Sequence, residues 1–145
     1  MRDEAGGGEK AAADGERWLE RAADFHRDAC TLLGQGSMAG APARLCAIHA
    51  IELYLSAFLA HRGMAAGDIK KMGHNLAVRA EAVTARGLVL RRRTGAHLVA
   101  MTVGQEYVAL RYRSLSVGKL APASRMVATL AEVSEKVTKA ISRQG

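Results

Sequence analysis

Three arginine–histidine pairs separated by four residues stand out in the chain: Arg21 with His26, Arg44 with His49, and Arg92 with His97. Random placement of fifteen Arg and five His in 145 positions would give about half of one such pair. A neutral imidazole can take the proton of a ribose 2′-hydroxyl, and an adjacent guanidinium can stabilise the charge that develops on phosphorus. That is the equipment of a metal-independent ribonuclease. Helix geometry sorts the pairs, because a five-residue step turns about 140° around a straight helix and sends the two side chains to different faces. Arg21/His26 and Arg44/His49 both fall in helical patterns. Arg92 instead lies in the run Arg91–Arg93, expected to form a turn, with His97 in the first turn of the helix that Thr94 would cap. A free turn lets the two side chains converge, and a helix N-terminus with three nearby cations would lower the His97 pKa. Arg92 and His97 are therefore the candidate catalytic pair; the plainer alternative is a basic loop followed by an exposed histidine.

Glu52 is the second residue that asks for an explanation. It stands between Ile51 and Leu53 on a strongly apolar segment, where a carboxylate needs a cation or donor. His49, His74 and Arg111 are the candidates, and a structural lock that fixes helix register is the reading preferred over acid–base chemistry. Neither the G-x-x-x-x-G-K-[ST] loop nor a strand-to-helix G-x-G-x-x-G is present, and no H-E-x-x-H or Glu-x-x-His ligand set occurs. Cys30 and Cys46 have no Cys or His at zinc-knuckle spacing and are expected to be reduced core thiols. No metal and no cofactor is expected.

The elements that must position these residues are helical. Ala fills 28 of 145 positions and Pro only two, so local propensity favours helix throughout. A first helix is expected over 9–33, with Trp18, Ala22, Phe25, Ala29 and Leu32 forming one stripe. A second spans 42–62, a single turn follows at 68–72, and a third runs from His74 to Arg86 with Leu76, Ala80 and Val83 inward. The fourth would extend from Thr94 to Arg111, apolar on two faces, and the last from Pro122 to Ser142 with Val127, Leu130, Val133, Val137 and Ile141 inward. Short Gly-containing turns between them predict an all-α, antiparallel up-and-down bundle of four to five helices. The acidic, Gly-rich residues 1–10 are expected to be a flexible segment ahead of a single domain over 11–145.

Residues 1–36 carry five basic and eight acidic groups, whereas residues 37–145 carry sixteen and six. A body of net charge +10 invites phosphate-rich partners. Lys70, Lys71, Arg91 and Arg93 are the expected phosphate-facing cations. An acidic protein surface is the alternative partner for the same charge. The apolar stretch 45–60, interrupted by His49 and Glu52, is read as too short and too polar to span a membrane, and no secretory signal is recognised. A cytoplasmic protein without a membrane partner is expected.

The segment "AIHAIELYLSAFLAHRG", then "IKKMGHNLAVRAEAVTARGL", then "YVALRYR" resembles the HEPN domain, the higher eukaryote and prokaryote nucleotide-binding family of small helical bundles. The resemblance covers about half of the chain and rests on Glu52, the Gly73-His74-Asn75-Leu76 turn, and Arg111-Tyr112. It implies a helical bundle, frequently a homodimer, in toxin–antitoxin, defence or nucleotidyltransferase-paired systems. Many members are ribonucleases whose Arg-x4-6-His motif meets its copy across the dimer. Here the counterpart would be Arg92 and His97, with Arg93 where the family often has Asn, while Ser56 replaces the expected Lys and Asn75 the expected Asp. The departures bear on catalysis more than on fold. Three functions are thus expected in competition: a nucleotide- or RNA-binding module, a ribonuclease, and a non-catalytic interaction subunit.

Overall fold

A computed structural model describes residues 2–34, 41–103 and 122–143. Among them the chain is all-helical, with no strand. The described residues form six helices: α1 (Arg2–Gly34), α2 (Ala41–His61), α3 (Ala66–Lys70), α4 (Leu76–Ala85), α5 (Arg92–Val103) and α6 (Ala123–Arg143). Residues 2–10, expected as a separate flexible segment, are the first turns of α1.

The centre of the fold is α2, buried around most of its circumference through Ile48, Ile51, Leu55, Phe58 and Leu59. It is long and apolar enough to cross a membrane by length and composition, exceeding the sixteen-residue stretch read from sequence, and most of it is buried inside the fold. Helix α1 lies antiparallel to it, since Gly15 meets Ala57 and Ala60 while Phe25 meets His49 farther back along α2. Helix α6 packs on α2, α1 and α5, and α4 packs on α2 and α5. The inward stripe of α6 is Met126, Leu130, Val133 and Val137; Val127, expected inward, is exposed. Met126 stands four residues before Leu130 and seven before Val133, so it and not its neighbour Val127 shares their face. On α5, Leu98 and Met101 are buried and Val99 is exposed; the fourth helix as expected from sequence runs on past Val103 into residues outside those described.

Both α2 and α4 end in the same six-residue device. Gly63 at φ 94° and Gly87 at φ 99° occupy the left-handed region, and the following amide reaches back to the helix, Met64 N to Leu59 O at 3.0 Å and Leu88 N to Val83 O at 3.0 Å. At the other end of α4, Gly73 turns the chain at φ 58° and Asn75 accepts from the Val78 amide at 2.9 Å. These stops deliver His74 and Arg79 beside α2. Of the thiols, Cys46 is half-buried but Cys30 is exposed, contrary to the core position expected. Burial, and then Asp28, pushes the Cys46 thiol up.

Candidate functional site

Glu52 sits on the buried helix α2, and three nitrogenous side chains surround it. His74 Nδ1 lies 3.1 Å from Oε1 and 3.3 Å from Oε2, Arg79 Nη2 is 3.6 Å from Oε1, and His49 Nδ1 is 3.7 Å from Oε2. Burial by itself would raise the carboxyl; His49, Arg79 and His74 outweigh it and hold the pKa below the usual carboxylate value. Glu52 is therefore an anion at neutral pH. Of the partners expected from sequence, His49 and His74 are in place, whereas Arg111 lies outside the described residues, as does Tyr112 of the resemblance motif.

Arg79 was not foreseen, yet it completes the site. Its guanidinium is buried and spends its donors on Ser56 Oγ (Nε, 3.0 Å), Gly73 O (Nη1, 2.5 Å) and Ile69 O (Nη2, 3.3 Å). It thus ties α2, the end of α3 and the Gly73 turn to α4. The signal was available: Arg79 falls three residues after Leu76 and four before Val83, on the inward face of α4. Ser56 is the neutral acceptor for this arginine.

A cleft of about 210 Å³ opens over this group. Trp18 and Phe25 from α1 form part of its lining, and Arg21 and Lys70 bring exposed cations to the same lining as Glu52 and Arg79. Phe25 stands edge-on to His49, centroids 4.9 Å apart at 73°, which holds the ring in place. Rings, exposed cations and a fixed carboxylate suit a ligand that is flat, carries hydrogen-bond donors and bears negative charge. Among the described residues, no group of three or more His, Cys, Asp or Glu is placed to hold a metal.

The Arg92/His97 pair is placed differently from expectation. Arg92 is the first residue of α5 and not part of a free turn, so it stands about 140° around the helix from His97. Arg92 is exposed, while His97 is buried with Nδ1 2.7 Å from Thr129 Oγ1. Its pKa does fall, to about 4, but through burial, then Arg125 and Arg44, and not through Arg91–Arg93. Thr94 is buried inside the helix and donates to Glu132 Oε1 at 2.5 Å; the other carboxylate oxygen accepts from the Arg91 amide at 2.7 Å and from Lys136 at 2.8 Å. Glu132 thereby anchors the start of α5 to α6, a role hidden behind its i,i+4 pairing with Lys136.

The remaining candidates scatter. His26 Nδ1 pairs with the Tyr54 hydroxyl at 3.0 Å, and Arg44 is buried on α2. Lys71 is exposed, 3.9 Å from Asp68, and Arg93 is exposed on a groove between α5 and α6. Only Lys70 of the expected phosphate-facing cations reaches the Glu52 cleft. No family model, curated protein or solved structure matches the chain.

Proposed function

We propose that the protein is a HEPN-like antiparallel bundle, acting as a homodimer in the cytoplasm, whose Glu52 cleft binds a nucleotide or the nucleotides of an RNA strand. The observation that carries this reading is the shared lining of Trp18, Phe25, Arg21 and Lys70 around the fixed Glu52 carboxylate. A base stacks on the rings, its exocyclic N–H groups face Glu52, and phosphate meets the two exposed cations. The net charge of +7 supplies long-range attraction for the same partner. A role in a toxin–antitoxin or defence system rests on the family resemblance alone. Cleavage through Arg92 and His97 gains no support from an arginine and a histidine on different faces of α5.

The test is the salt dependence of affinity for a short single-stranded RNA. Binding should weaken steeply as salt rises, and Arg21→Ala together with Lys70→Ala should reduce the slope of log Kd against log salt by about one to two. Affinity that does not change between low and physiological salt would refute the reading. A complex with an acidic protein in place of RNA would favour the interaction subunit.

A further inference from the structure

A groove between α5 and α6, sharing no lining residue with the Glu52 cleft, holds about 570 Å³. Arg93, Arg125 and Ser124 supply its polar lining, and Ala96, Ala100 and Ala128 leave it wide. Ser124 lies in the first turn of the 21-residue helix α6, where backbone amides have no intrahelical acceptor. His97, 5% exposed, also lines the groove, and its Nε2 is buried without a hydrogen-bond partner among the described residues.

The direction of the hydrogen bonds behind His97 follows from which groups can donate. Arg125 only donates, and its Nε gives to Thr129 Oγ1 at 3.2 Å while Nη2 gives to Thr94 Oγ1 at 3.2 Å. Thr94 passes its own proton to Glu132. Thr129 is fully buried, and the acceptor within reach of its single proton is His97 Nδ1 at 2.7 Å. The opposite direction would strand both the hydroxyl proton and an Nε2 lone pair; this one strands a single group. His97 is then the neutral Nε2–H tautomer, held as a donor with no acceptor. Glu132, the nearest carboxylate in this chain of bonds, is already engaged by Thr94, Lys136 and the Arg91 amide.

We infer that this groove binds the phosphate group of a small phosphate monoester, held by Arg93 and Arg125, the Ser124 hydroxyl and the His97 Nε2–H. A phosphate oxygen supplies the acceptor that the imidazole lacks, and the alanine-lined remainder of the groove takes an apolar or flat ester group. His97 acts here as a hydrogen-bond donor and is not a base.

Imidazole proton–nitrogen NMR of the full chain tests this directly, with phenyl phosphate as the probe and phenol as its uncharged counterpart at matched ionic strength. The free protein should show His97 protonated at Nε2. Phenyl phosphate should shift that resonance saturably while phenol does not, and Arg93→Ala, which leaves the Arg125–Thr129–His97 relay intact, should raise Kd about tenfold. A His97 resonance that phenyl phosphate does not move overturns the inference, as does equal binding of phenol or an unchanged Kd in Arg93→Ala. The single tryptophan, Trp18, reports on the other cleft, so loss of RNA binding there leaves this result independent.

Discussion

Glu52 and Arg79 are both buried and face each other at 3.6 Å, each offsetting part of the cost of burying the other's charge. Replacing Glu52 by Ala removes the carboxylate that faces a buried guanidinium and should cost about 3 kcal/mol in urea unfolding, whereas the double substitution Glu52→Leu with Arg79→Leu should cost clearly less than the sum of the single changes. Additive losses would mean that the two side chains do not couple. His97 gives a second residue-level expectation. Its folded pKa of about 4 lies below the 6.5 of a free imidazole, so the unfolded chain takes the proton first as pH falls. Stability is therefore complete above pH 6.5 and declines toward pH 4, by on the order of 2 kcal/mol once the shift is discounted for solvent screening. His26, lowered by burial, contributes with the same sign. Thermal unfolding across this range should show a shallower slope for His97→Gln, and an unchanged slope would contradict the assignment. Below pH 4.5 the depressed carboxyls of Glu52 and Glu132 extend the decline, because each must be protonated against its cations. The need of Glu52 for partners was legible from its apolar neighbours, and His49 and His74 were legible as partners. Arg79 was passed over because a charged residue on an inward stripe reads as surface until its acceptors are known, and those acceptors are the Ser56 hydroxyl on α2 and the backbone carbonyls of Ile69 and Gly73.

Helix existence followed from propensity and period, and the stops after α2 and α4 from glycines visible in the sequence, Gly63 and Gly87; α4 begins at Leu76, two residues after the His74 expected, because Asn75 caps it. What propensity could not supply was the exact entry to α5. Thr94 has the chemistry of a cap, but Glu132 from α6 takes both its hydroxyl proton and the Arg91 amide, and the helix begins two residues earlier at Arg92. That tertiary contact removes the free turn on which the convergence of Arg92 and His97 depended. At this scale two substitutions are informative. Asn75→Ala should lower stability by about 1 kcal/mol, because the Val78 amide loses its acceptor. Gly15 lies where α1 closes on α2, and an added Cβ there would stand 3.2 Å from the Ala57 carbonyl and 3.4 Å from the Ala60 Cβ. Gly15→Val should therefore push the helices apart and lower the thermal midpoint by several degrees, about 2 kcal/mol in a chain of this size. A midpoint at or above that of the unsubstituted protein would show that the contact is looser than the geometry has it.

Across the molecule, a central apolar helix carries one carboxylate, and α1, α3 and α4 each contribute a cation or a ring to the cleft above it. Fold class was open to inspection of composition alone, because an Ala-rich chain with two prolines has little else to become. The cleft was not, since Trp18, Arg21, Glu52, Lys70 and Arg79 are drawn from four helices and share no local pattern. Trp18 provides the most direct measurement of whether that cleft binds nucleotides. With one tryptophan in the chain, titration with purine and pyrimidine mononucleotides followed by intrinsic fluorescence observes the site itself. Saturable quenching, weakened about tenfold in Arg21→Ala and abolished by competing RNA, is the expected result. Fluorescence that stays constant through millimolar nucleotide, from protein whose helicity is intact, would contradict nucleotide binding at Glu52.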